Sequence, residues 1–150
     1  MATRDSLPIF PLFDHTHDTL TTGIVVGFAA VLAVYTSWLV ADFGARFLGF
    51  AVAALALGYL LYRQESRRGV VAGGLYSLAA LLAFTPFVYE LAFVLEAGRA
   101  GVGSPWQHVL STADLLLFVL CLVLAAIPAL VAYRLTTGAF VPRIRARLGA

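Results

Sequence analysis

The chain has 150 residues, 61% of them hydrophobic and 12% charged, with a formal net charge of +2. Soluble domains use roughly 45–50% apolar residues, so this balance argues against a water-soluble domain and for a membrane protein. The single cysteine, Cys121, excludes an intrachain disulfide and a cysteine-built metal or iron–sulfur site. All ten basic residues are arginine with no spacing suited to phosphate readout, so nucleic acid is not an expected partner.

Four apolar stretches are each long enough to cross a hydrocarbon core about 30 Å thick. Before the first, residues 7–13 form an apolar patch in which Pro8 and Pro11 oppose a regular helix. With the acidic patch that follows, these prolines interrupt the pattern of a cleavable signal peptide, so the first long apolar run is expected to be a retained span. The segment Asp14-His15-Thr16-His17-Asp18-Thr19 is rich in residue types that cap helix N-termini. Asp14, His15, His17 and Asp18 are also imidazole and carboxylate types suited to a divalent metal. One short cluster rather than two converging ones makes capping the leading expectation and a metal site the weaker one.

The first span is expected over 22–40, where Gly23, Gly27, Ala30, Val34 and Ser37 fall on one stripe. Lipid gives little hydrophobic gain from joining helices, so close backbone approach must supply the association energy. That stripe is therefore expected to face the other spans. A very short link around Asp42 and Gly44 then forces the second span, 43–62, to run back beside the first. Ala51, Ala54 and Gly58 give it a small-residue face, and Arg46 near its start can snorkel outward or reach an acid.

Three arginines, Arg63, Arg67 and Arg68, crowd the next link. The third span, 70–97, carries Pro86, where a kink is expected, and Glu90 one turn later. Ala72, Tyr76, Ala79 and Ala83 share the face of Glu90, which is expected to look into a helix bundle. A glycine-rich loop leads to the fourth span, 106–133, whose Asp114, Cys121, Ala125, Pro128 and Ala132 form a comparable face.

The expected fold is all-α: a polytopic membrane protein built as one four-transmembrane-helix antiparallel bundle. Four crossings put both termini on one side, with Arg4, Arg63, Arg67, Arg68, Arg134, Arg143, Arg145 and Arg147 there and Arg46 and Arg99 opposite. By the excess of arginine on cytoplasmic loops, both termini are expected on the cytoplasmic side of the plasma membrane.

Glu90 stands as far along the chain from the inner start of span three as Asp114 stands from Arg134 at the inner end of span four. The helical rise over that length puts both acids about 30 Å from the inner boundary, near the external interface. With His108 and Arg46 they make an external polar cluster. It serves either to bind a cation or pass a proton, or to tie helix ends together by pairing with Arg46, Arg99 or His108. The inner two-thirds of the spans hold no acid, base or amide, which argues against a proton relay.

His108 lies near one interface and His15 and His17 near the other, which does not suit a membrane b-type haem. Ser104, Ser111, His108 and Asp114 show no nucleophile elbow. The aromatics of the outer half, Phe84, Phe87, Tyr89, Phe93, Trp106 and Phe118, fit either ordinary packing with an interfacial belt or a lipid or quinone pocket.

The expectation is a small multi-pass integral membrane protein, not an enzyme and without a cofactor. It serves as an accessory or assembly subunit whose partners are the bilayer and another membrane protein or further copies of itself. The alternative is a small oligomeric transporter or channel with an external acidic site at Glu90 and Asp114.

Overall fold

The computed structural model describes residues 17–40, 42–100 and 112–137. Regular structure among them is helical throughout: α1 Thr19–Leu39, α2 Phe43–Tyr62, α3 Arg67–Ala100 and α4 Thr112–Thr137. All four are long and apolar enough to cross a membrane. The expected tails, together with Asp14, His15, Trp106 and His108, lie outside the described residues.

Side-chain caps set the helix limits. Asp18 accepts from the Thr21 amide at 3.2 Å, so α1 opens at Thr19, within the capping segment where the helix is expected to start and ahead of the apolar span expected from residue 22. Asp42 does the same for α2, bonding the Ala45 amide at 3.0 Å. At the third helix Ser66 Oγ accepts from the Gly69 amide at 3.0 Å, and this cap draws Arg67–Gly69 into α3 ahead of the expected start at residue 70. α3 then runs unbroken through Pro86. α4 continues to Thr137, past the expected end at 133, with the Thr136 and Thr137 hydroxyls bonded back to the carbonyls of Ala132 and Tyr133.

The α1–α2 and α3–α4 pairs pack most extensively; α1 against α3 joins them, and α2 touches α3 lightly. His17, before α1, meets Tyr62 at the end of α2, whereas Asp18 meets Arg67 at the start of α3. Where these three ends converge, Val25, Leu61 and Val70 form a buried cluster, with Ile24, Phe28 and Tyr62 packed around it.

The rotation of α1 overturns one expectation. Gly23, Gly27, Ala30 and Val34 are exposed, and a Cβ on Gly23 or Gly27 would meet nothing within 4 Å. The buried side carries Thr21, Val25, Ala29, Leu32 and Ala33 instead. The reason lies on the neighbours, which supply the small residues. A Cβ on Gly74 would come 2.5–2.8 Å from three atoms of the Phe28 ring, and one on Gly73 would come 3.2 Å from Leu61 Cδ2. Bulk from α1 and α2 thus fills hollows that α3 leaves open, and an inward-facing glycine stripe on α1 would empty them.

The other small-residue faces match the expectation on α4 and in part on α2 and α3. Cys121, Ala125, Pro128 and Ala132 are the buried residues of α4. On α3, Ala72 and Ala79 of the expected face are buried and Ala83 is half-buried, while Tyr76 is exposed. Ala51, Ala54 and Gly58 of α2 are half-buried, and a Cβ on Gly58 would lie 3.8 Å from that of Ala29.

Gly74→Ala is expected to destabilise by about 1–3 kcal/mol, the usual cost of overpacking a filled contact, measured by thermal unfolding in detergent. Gly23→Ala and Gly27→Ala are expected to leave the melting temperature unchanged or raised, because alanine favours the helix and meets open space. Equal losses at all three positions would contradict the rotation of α1.

Candidate functional site: polar contacts at the helix ends

The residues around the start of α1 tie three helices together. Asp18 Oδ2 takes the Arg67 guanidinium at 2.7 Å, and its Oδ1 takes both the amide and the hydroxyl of Thr21. Arg67 Nε in turn lies 3.4 Å from the Thr21 hydroxyl oxygen. Thr21 is only 4% exposed. Its hydroxyl gives its proton to Asp18 and accepts from Arg67, so this buried group is satisfied on both sides. The Asp18 carboxyl is held below its ordinary value of 3.8, first by the Thr21 hydroxyl and, with a smaller effect, by the Thr21 amide and Arg67.

His17 completes the junction. Its Nε2 lies 2.8 Å from the Tyr62 carbonyl, one of the last carbonyls of α2. A carbonyl only accepts, which assigns the proton to Nε2. The imidazole also stands edge-on to the Tyr62 ring, 4.8 Å between centroids. His17 and Asp18 therefore act as helix fasteners. Among the described residues no three metal-ligating side chains come together.

At the other end the expected cluster is distributed over two seams. Arg46 Nε donates to the Val40 carbonyl at 2.8 Å, closing the last turn of α1 across the link to α2. Glu90 and Asp114 sit on the α3–α4 side. Phe87 and Phe118 meet edge-to-face at 4.8 Å, and Glu90 follows Phe87 by three residues while Asp114 precedes Phe118 by four. Each acid thus lies one turn from the ring contact on the same helix face, and both are half-buried.

One polar contact has no counterpart in the sequence reading. Tyr35 Oη lies 2.6 Å from Thr85 Oγ1, linking α1 to α3 one residue before Pro86. The Thr85 hydroxyl proton is directed to the Leu81 carbonyl at 2.7 Å, so Tyr35 is the donor. The sequence does carry a signal for it. The expected reversal of the chain at two successive links would align α1 with α3, and Tyr35 stands almost as far along the chain from Asp18 as Thr85 does from Arg67.

Compared with protein-family models, curated proteins and solved structures, the chain matches none.

Asp18→Asn is expected to lower the melting temperature near neutral pH by removing the negative charge that pairs with Arg67 while keeping a capping oxygen. Because folding depresses the Asp18 pKa, its contribution is complete above the ordinary value of 3.8 and is lost as pH falls through the lower folded value. The gap between native and variant should therefore close in acid. A gap independent of pH would show that the charge is not what Arg67 and Thr21 hold.

Proposed function

We propose that the chain is a multi-pass integral membrane protein of the plasma membrane. In this reading its four helices form an antiparallel bundle with both termini cytoplasmic, and it serves as a non-catalytic accessory or assembly subunit. The observation that carries this is the use made of its polar side chains: Asp18, Thr21 and Arg67, His17 and Tyr62, and Tyr35 and Thr85 join helices to one another. Groups spent on mutual attachment make a scaffold. Catalysis would instead require side chains converging on a space for substrate.

Charge supports the orientation. Arg63, Arg67, Arg68 and Arg134 outnumber Asp18 and Glu65 at one end, a balance of +2. Asp42, Glu90 and Asp114 outnumber Arg46 at the other, a balance of −2. The positive end belongs inside by the arginine bias of cytoplasmic loops.

The second reading, a small oligomeric transporter or channel, rests on Glu90 and Asp114 flanking the Phe87–Phe118 contact on the α3–α4 seam. Acids facing a helix seam near an external mouth are where a cation would enter.

Extraction from native membranes in mild detergent tests the assembly reading: the chain should run in a complex of fixed stoichiometry with a second membrane protein. Ser66→Cys in a Cys121→Ala background should stay unlabelled by an impermeant maleimide added to intact cells. A lone monomer, or external labelling, would contradict the reading. Cation flux into proteoliposomes that is lost in Glu90→Gln would replace it with the transporter.

A further inference from the structure

The turn between α2 and α3 carries three arginines in different circumstances. Arg67 is spoken for, paired with Asp18 at 2.7 Å although each side chain remains about half exposed, 52% and 55%. Arg63 folds back along α2, its guanidinium 5.7 Å from the centre of the Tyr59 ring. Arg68 is exposed at the start of α3, and neither it nor Arg63 has an acidic partner among the described residues. Tyr59 is itself 41% exposed. An exposed tyrosine one turn inside the end of an apolar helix, with an arginine over its face, is the arrangement expected where hydrocarbon gives way to headgroups.

We infer that Arg63 and Arg68 form a binding rim for the phosphate of anionic phospholipids at the α2–α3 turn. The inference rests on the membrane-spanning reading above and goes beyond it by naming a ligand class and two residues.

Three features point to this occupant. Each arginine carries a fixed positive charge, and an anionic phospholipid brings a net negative charge to it where a zwitterionic headgroup brings none. The Asp18–Arg67 pair fixes the turn against α1, so the two remaining cations are displayed from an anchored segment. The helices below it present apolar side chains to acyl chains, with Leu55 and Leu60 of α2 exposed. A lipid therefore meets charge at its phosphate and apolar surface at its tails on the same flank.

The test is native mass spectrometry of the full chain released from bilayers of equal phosphatidylcholine and phosphatidylglycerol, reading the ratio of the two among retained lipids. Attraction of a surface arginine to an anionic leaflet corresponds to a preference of roughly fivefold per residue. The native chain should retain phosphatidylglycerol preferentially by at least that factor. The Arg63→Lys/Arg68→Lys pair, which keeps the charge, should hold the native ratio; Arg63→Gln/Arg68→Gln should lower it by about fivefold or more. Both positions are exposed, and circular dichroism of each variant checks that helix content is kept.

A native ratio near one, a preference undiminished in the glutamine pair, or its loss in the lysine pair overturns the inference. If the chain floats with vesicles but shows no preference, this inference alone fails. If it does not float with vesicles, the membrane reading beneath it fails as well.

Discussion

The seating of Phe28 against Gly74 is the contact on which the arrangement of the helices depends. In the proposed bilayer setting, apolar surface gains little from leaving lipid for protein, so helices whose exteriors are leucine and valine would associate through close fit and through hydrogen bonds. α3 offers the hollow at Gly73 and Gly74, and α1 and α2 fill it with Phe28 and Leu61. That fixes the rotation of α1. Ala29 is then left facing Gly58 of α2, and Thr21 comes under the Arg67 side chain.

The polar contacts hold the same register from outside the fitted core. Asp18 reaches Arg67, and Tyr35 reaches Thr85 further along both helices, so α1 and α3 are tied at two levels in one direction. His17 binds the end of α2 to the same point. The junction is economical because one hydroxyl, that of Thr21, both donates to Asp18 and accepts from Arg67. Arg67 is thereby committed to the fold, whereas Arg63 and Arg68, close by in the chain, face the surroundings.

Most of the helix limits could be read from sequence because they follow from hydropathy and capping chemistry, which are local. α2 runs over the expected 43–62. α3 starts earlier than expected because Ser66, set within the arginine-rich link, caps it. The face of α4 was legible from Cys121, Ala125, Pro128 and Ala132, since that helix has one dominant neighbour and one set of small residues to offer it. α1 is different: it packs on two helices, and which of its sides turns inward depends on Gly73 and Gly74, two helices further along the chain. A glycine stripe states that close approach is possible, not that a partner in the same chain takes it. The junction at Asp18 is hidden for a similar reason: Asp14, His15 and His17 are its visible neighbours in the sequence, and its partner Arg67 is remote. Of the external cluster, Glu90 and Asp114 are brought to one seam, Arg46 is bonded at the α1–α2 link, and His108 lies outside the described residues.

The rotation of α1 connects packing, polar fastening and the outward faces, and one cross-link tests it. The Cβ separation of 3.8 Å at Ala29 and Gly58 matches the mean spacing of a disulfide. In a Cys121→Ala background, Ala29→Cys/Gly58→Cys should close an intramolecular disulfide under mild oxidation in membranes, while Gly27→Cys/Gly58→Cys should stay reduced. Closure by the Gly27 pair with none by the Ala29 pair would put the glycine stripe inside and contradict the account.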